Sequence, residues 1–161
     1  MKNTVVITPL TAEAFAPYGD ILDASGAPDK IINAGKCERF HDRAKIDVMQ
    51  ARVGISIFKA ELRSLPYQLD LIERHPEGSQ AFVSMSNEPF LVIVSDGPDA
   101  TPKAFITDGA QAINFHRGTW HGVLTPLAGN GMFTVIDRIG ETPNLEEFTF
   151  DAPWTVVADE A

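Results

Sequence analysis

From residue 48 onward, apolar and polar positions alternate with a period of two. Val53, Ile55 and Ile57 alternate with Gly54 and Ser56, and Tyr67, Leu69 and Leu71 with Gln68 and Asp70. This is the signature of strands with one buried face. Further short runs follow: AFVSM (Ala81 to Met85), FLVIV (Phe90 to Val94), KAFIT, AINF, WHGVL and MFTVIDR. Turn chemistry separates them at Asn87–Pro89, Asp96–Pro102, Asp108–Gly109, Arg117–Gly118 and Ala128–Gly131. Short strands at this spacing predict a mainly β domain, an antiparallel barrel or sandwich, rather than βαβ units.

Before residue 48 the pattern is weaker. Val5 to Ile7 predicts a short strand. Thr11 predicts a helix N-cap with Glu13 in the first turn, and Pro17 and Gly19 end that helix after one or two turns. Ile31 to Asp42 is polar and irregular, so it forms either an exposed loop or a segment folded over a site. Near the other end, Asn144 and Glu147 have the spacing of a capping box and predict a last short helix. Asp151 to Ala161 reads as an acidic tail whose Trp154 packs in a strand that frays at its end.

With 161 residues and no repeat or linker, one domain over residues 1–161 is expected. The longest apolar run, FLVIV, is far short of the ~18 residues that would indicate a membrane span. MKNTVVITPL lacks the long apolar stretch of a signal peptide. The single cysteine, Cys37, excludes an internal disulfide and fits a reducing compartment, so a cytoplasmic location is expected. Cys37 has His41 four residues on, which leaves two readings open, a nucleophile or an incidental thiol. A net charge of −9 argues against nucleic acid and anionic membranes as partners, because phosphate binding needs a cationic face. A small anion remains a feasible ligand if a few of Arg39, Arg43, Lys59, Arg74 and Arg117 converge.

Candidate chemistry concentrates in two runs, ERHPEGSQAF (Glu73 to Phe82) and FHRGTWH (Phe115 to His121), which hold three of the four histidines. Glu73 and His75 lie two apart and share a face on a strand, a carboxylate beside an imidazole suited to acid–base work. Beyond the Pro76–Gly78 turn an antiparallel return brings Gln80 alongside. Gly118 suggests a tight turn between His116 and His121. Imidazoles with a carboxylate also suit a divalent ion. The spacings E-x-H-x4-Q and H-x-G-x-x-H resemble the two cupin motifs. Measured against those motifs, Glu73 replaces a His and Gln80 replaces a Glu, so the ligand set is altered. His75, Gln80 and His121 stand as the candidate metal ligands.

Nearly the whole chain resembles the ureidoglycolate lyase family of allantoin catabolism. The resemblance rests on LTAEAFAPYGD (Leu10 to Asp20), IINAG, RFHD, SIFKA, LIERHPEGSQAF, DGAQAINFHRGTWH (Asp108 to His121), FTVIDR and NLEEF. A local departure is the polar SMSNE (Ser84 to Glu88). The resemblance implies a cupin-like β-barrel with short peripheral helices, a homodimer, and cleavage of ureidoglycolate to glyoxylate and urea. That chemistry needs a base for a hydroxyl proton, an acid for the departing nitrogen, and donors for a carboxylate. Glu73, His75 and His121 are the expected catalytic residues. Arg74, Gln80, His116, Arg39 and Lys59 are the expected substrate contacts. No cofactor is demanded beyond, at most, a divalent metal ion. A metal-dependent cupin oxygenase or isomerase, and a non-catalytic small-acid-binding cupin, are the alternatives.

Overall fold

The computed structural model describes residues 3–160. In chain order the elements are β1 (Thr4–Pro9), α1 (Ala12–Phe15), β2 (Gly19–Leu22), β3 (Lys30–Ile32), β4 (Cys37–Arg39), β5 (Arg52–Lys59), β6 (Tyr67–Arg74), β7 (Gln80–Ser84), β8 (Phe90–Ser95), β9 (Lys103–Ile106), β10 (Ala112–Phe115), β11 (Trp120–His121), β12 (Thr125–Pro126), β13 (Met132–Ile139) and β14 (Glu146–Val157). The mainly β expectation holds. Thr11 caps α1 as predicted, its hydroxyl accepting from the Ala14 amide at 3.2 Å.

Six strands close on themselves in the order β8–β11–β6–β14–β1–β9, with β9 returning to β8. Closure leaves no free edge within that ring. Most pairings are antiparallel, but β1 runs parallel to both β14 and β9, so the barrel is mixed. A second sheet, β2–β10–β7–β13–β5, packs on the ring, and β3 and β4 form a separate exposed ribbon.

Two cores follow from this arrangement. Phe90, Val92 and Val94 pack with Phe82, Phe115, Phe133 and Val135 from the second sheet. Leu91 and Ile93, on the other face of the same strand, pack with Val5, Ile7, Leu69, Ile72 and Val156 of the ring. The unbroken apolar run FLVIV is therefore a strand buried on both faces. Phe15 of α1 is fully buried, its ring 6.1 Å from those of Phe105 and Phe115. Gly19 lies where no side chain fits, since a Cβ there would come 2.2 Å from the Asn114 carbonyl oxygen.

One expectation needs correction, and one left open is decided. The segment after Asn144 is not a helix: Glu146–Val157 is the long strand β14, paired with β6 and, at its end, β1. The capping-box spacing had a different use, for the Asn144 side chain accepts from the Glu77 amide at 2.7 Å. A local helix signal lost to the main-chain bonds that an unpaired β6 offers. The Ile31–Asp42 segment does not cover the cavity that holds Glu73. It forms the exposed ribbon, and Phe40, Asp42 and Arg43 lie over the outer face of the second sheet beside Ala81, Asn114 and Ile136.

Removing Phe15 leaves an aromatic-sized void between α1 and the sheet. Phe15→Ala is expected to lower unfolding stability by about 3–5 kcal/mol with an unchanged urea m-value. Urea denaturation followed by Trp fluorescence measures it, and a loss under about 1 kcal/mol would mean that α1 is not part of this core.

Candidate active site

Two rows of side chains face each other between the barrel and the second sheet. In the barrel, Val94, His121, Glu73 and Glu147 lie in register across β8, β11, β6 and β14. In the second sheet, Phe115, Gln80 and Asp137 lie in register across β10, β7 and β13. Residues directly opposite on paired strands share a face. A cavity of about 660 Å³ opens here, lined in part by Glu73, His75, Gln80, Asp137, Lys59 and Arg63, with Phe58 and Phe82 as apolar wall.

His75 follows β6 at the start of the Pro76–Gly78 turn. Its carbonyl accepts from the Gly118 amide at 2.9 Å, which ties the two histidine-bearing runs together. A Cβ at Gly78 would come 2.9 Å from the Arg138 Cβ, so glycine lets the turn lie against β13. Arg138 is almost buried and reaches Glu77 at 3.3 Å and the Thr142 hydroxyl at 2.6 Å. Thr142 in turn donates to Glu77 at 2.6 Å. The loop before β14 is thereby clipped to the turn that carries His75.

Both inner imidazoles are oriented by backbone carbonyls. His75 Nδ1–H donates to the Asn144 carbonyl at 2.8 Å, and His121 Nδ1–H donates to the Gly122 carbonyl at 2.8 Å. Each is left with an Nε2 that is buried and without a hydrogen-bond partner among the described residues. With Nδ1 protonated, Nε2 of a neutral imidazole is a lone pair. The rings lie 5.3 Å apart, and His121 stacks on Phe115 at 4.2 Å and 8°. Ligand atoms of Glu73, His75 and His121 all come within 4.8 Å of one another, close enough to share one metal ion. Buried lone pairs with no protein partner beside a carboxylate fit a divalent cation.

Burial sets the protonation states. His121 is 2% exposed, and desolvation pushes it down to about 3; its bond to the Gly122 carbonyl favours the proton but is outweighed, and His75 opposes it further. It therefore holds a lone pair, not a transferable proton, at neutral pH. Burial also raises the Glu73 carboxyl above its usual value, against the pull of His75 and with a further push from Glu147.

The structure thus brings together Glu73, His75, Gln80, His121 and Lys59. Three expected contacts lie outside the cavity lining. Arg74 pairs with Glu146 at 2.8 Å and covers the Trp120 ring. His116 is exposed and meets Asp20 at 3.2 Å. Arg39 lies exposed on the β3–β4 ribbon opposite Lys30. Cys37 is on the same ribbon, also outside the cavity lining. Gln80 is present with its amide nitrogen turned to a carboxylate: one Nε2–H donates to Asp137 Oδ2 at 3.0 Å. Two charged residues of the lining, Asp137 and Arg63, belong to neither histidine run. Asp137 shares the inward face with Phe133 and Val135, and a carboxylate on an apolar face was a usable signal. Arg63 stands in an irregular stretch where no periodicity points to it.

A family model described as ureidoglycolate lyase matches residues 2–157. A protein named ureidoglycolate lyase from Rhodobacter capsulatus is 49% identical over 156 residues, covering 94% of this chain and 97% of that protein. Proteins of the same name from a Chelativorans species and Mesorhizobium japonicum are each 46% identical over 94% of this chain, which spans 95% and 96% of their lengths.

The buried neutral imidazole predicts a pH dependence. His121 titrates near 6.5 when unfolded and about 3 when folded. Between those values the unfolded chain binds more protons, so stability is full above 6.5 and falls as pH drops through the window, by at most about 1.4 kcal/mol per pH unit. Urea unfolding of chelator-treated protein is expected to show a shallower loss in His121→Gln than in the wild type between pH 6.5 and 5. Equal slopes would contradict a neutral buried His121.

Proposed function

Because the chain belongs to the ureidoglycolate lyase family, we infer that it cleaves ureidoglycolate to glyoxylate and urea in the catabolism of purine nitrogen. The observation that carries the reading to this chain's own residues is the set of two buried, unpartnered Nε2 atoms beside the raised carboxyl of Glu73. Ureidoglycolate is a carbinolamide, with a hydroxyl, a ureido nitrogen and a carboxylate on one carbon. Lys59 and Arg63, the cations of the cavity lining, bind that carboxylate. Glu73, half-buried and raised, accepts the hydroxyl proton. The C–O bond becomes a carbonyl as the C–N pair leaves on nitrogen, and Glu73 returns the proton to that nitrogen. Urea departs intact, no water is consumed, and Glu73 ends as it began. His75 and His121 turn acceptors, not N–H groups, toward the reacting centre.

These donors also fit a divalent ion, which Glu73, His75 and His121 would hold. Such an ion would polarise the substrate hydroxyl as a Lewis acid.

We read the protein as a cytoplasmic homodimer. No helix among the described residues is long and apolar enough to cross a membrane. The edge strand β5 is the support for self-association. It bears Val53, Ile55 and Ile57 on one face at 41%, 73% and 53% exposure and has an unpaired main-chain edge. A long apolar edge is normally covered, and a two-fold axis through Ile55 would set these residues against their own copies.

Incubation with racemic ureidoglycolate is expected to yield equimolar glyoxylate and urea without ammonia, and stoichiometric ammonia would show amidohydrolase chemistry instead. Glu73→Gln should fold and lose about 10²–10⁴ in kcat, the effect of losing a positioned base, and His75→Ala and His121→Ala should fold and lower kcat as well. If the imidazoles act as ligands, a chelator abolishes activity, a divalent ion restores it, and both histidine variants lose ion binding. Sedimentation equilibrium should give twice the 17.5 kDa chain mass. Ile55→Lys with Ile57→Lys should give the single chain mass, and a monomeric wild type at micromolar concentration would refute the dimer.

A further inference from the structure

Gln80 presents an imbalance that the proposed reaction does not use. Its side chain is 6% exposed and lines the cavity. The amide nitrogen donates to Asp137 Oδ2 at 3.0 Å, whereas Oε1 is buried and has no hydrogen-bond partner among the described residues. An unsatisfied buried carbonyl of this kind costs about 1–3 kcal/mol unless something else meets it.

Asp137 decides which end of the amide is left open. Gln80 and Asp137 are direct partners across β7 and β13, so both backbones hold them face to face. An ionised carboxylate only accepts hydrogen bonds. Rotating the amide by half a turn would set Oε1 against the carboxylate and lose the one bond Gln80 makes. The stable arrangement engages the nitrogen with Asp137 and leaves the oxygen unpartnered. A glutamine placed without this neighbour would offer donor or acceptor with little preference.

We propose that Asp137 is a positioning residue that locks Gln80 as an oxygen acceptor in the cavity, where Oε1 recognises the ureido N–H of the substrate. This rests on the lyase reading above, and it assigns the two ends of the substrate to different walls. The cations Lys59 and Arg63 take the carboxylate. The neutral oxygen of Gln80 takes the nitrogen end, where a second carboxylate would be repelled. Asp137 touches no reacting atom; it acts through Gln80.

The test compares wild type, Asp137→Ala, Gln80→Glu and the double variant Gln80→Glu with Asp137→Asn. Asp137→Ala frees the amide to rotate, so KM for ureidoglycolate should rise about three- to ten-fold, the worth of one hydrogen bond, with kcat moving less. Gln80→Glu sets two carboxylates together and should be more damaging. In the double variant the donor and acceptor exchange strands. The amide introduced at position 137 donates to the carboxylate introduced at position 80, which again has an oxygen to spare, so activity should recover well above Gln80→Glu alone. A purely structural pairing would move melting temperature and kcat together and would not produce this KM pattern. Titration of each variant with Mn²⁺ alone forms a second readout. The assignment is overturned if Asp137→Ala leaves KM unchanged, if the double variant is no better than Gln80→Glu, or if Mn²⁺ affinity falls while KM does not. Should Asp137→Ala fail to fold, Gln80→Glu against the double variant carries the same comparison. A wild type without turnover removes the lyase reading and this assignment with it, whereas wild-type turnover with an unaffected Asp137→Ala removes only the assignment.

Discussion

The two-residue strand Trp120–His121 closes the barrel, and the site depends on that closure. His121 pairs through its main chain with Glu73 on one side and Val94 on the other. Without those bonds β6 and β8 would each present a free edge where the ring now meets. Because Glu73 and His121 are direct partners, their side chains share one face, and closure itself sets the carboxylate beside the imidazole. Stability and site geometry are consequently coupled here: a residue that closes the ring also supplies the site.

The corner thus formed is largely buried, and burial explains its chemistry. Desolvation keeps His121 neutral and raises Glu73. Backbone carbonyls of Asn144 and Gly122 take the Nδ1 protons, so two lone pairs are turned toward the same small space. Burying such atoms unmet is unfavourable in a folded chain, and these two lone pairs are the atoms best placed to meet a bound group. The supports lie one layer out. Asn144 holds both His75 and the Glu77 amide, while Arg138 and Thr142 hold Glu77. These contacts keep the turn, and His75 with it, in place.

Charge is partitioned in the same way. Glu73 and Asp137 bring negative charge to half-buried positions of the cavity lining, and Lys59 and Arg63 bring positive charge to exposed ones. An anionic substrate is drawn to the cations, and its uncharged nitrogen end can then face the acceptors. The protein's net charge of −9 is no obstacle to such a ligand, because recognition depends on the few charges within a Debye length of it.

Period-two alternation, turn residues and the two histidine runs were enough to determine a mainly β domain, its principal strands, the Thr11-capped helix, and the grouping of Glu73, His75, Gln80 and His121. Those features are local or lie two residues apart, and strand geometry converts them directly into a shared face. Whether β1 ran parallel, where Arg39, Arg74 and His116 lay, and what followed Asn144 depended on which strands met, and no local pattern encodes that. The capping-box spacing at Asn144 is the instructive case: the same asparagine caps the Glu77 turn because β6 needed β14 as a partner. Asp137 and Arg63 entered the cavity only through pairing of β13 with β7 and the packing of an irregular loop. Sequence by itself determined which side chains were available; tertiary structure decided their protonation and orientation, because burial and carbonyl partners arise only when distant strands come together.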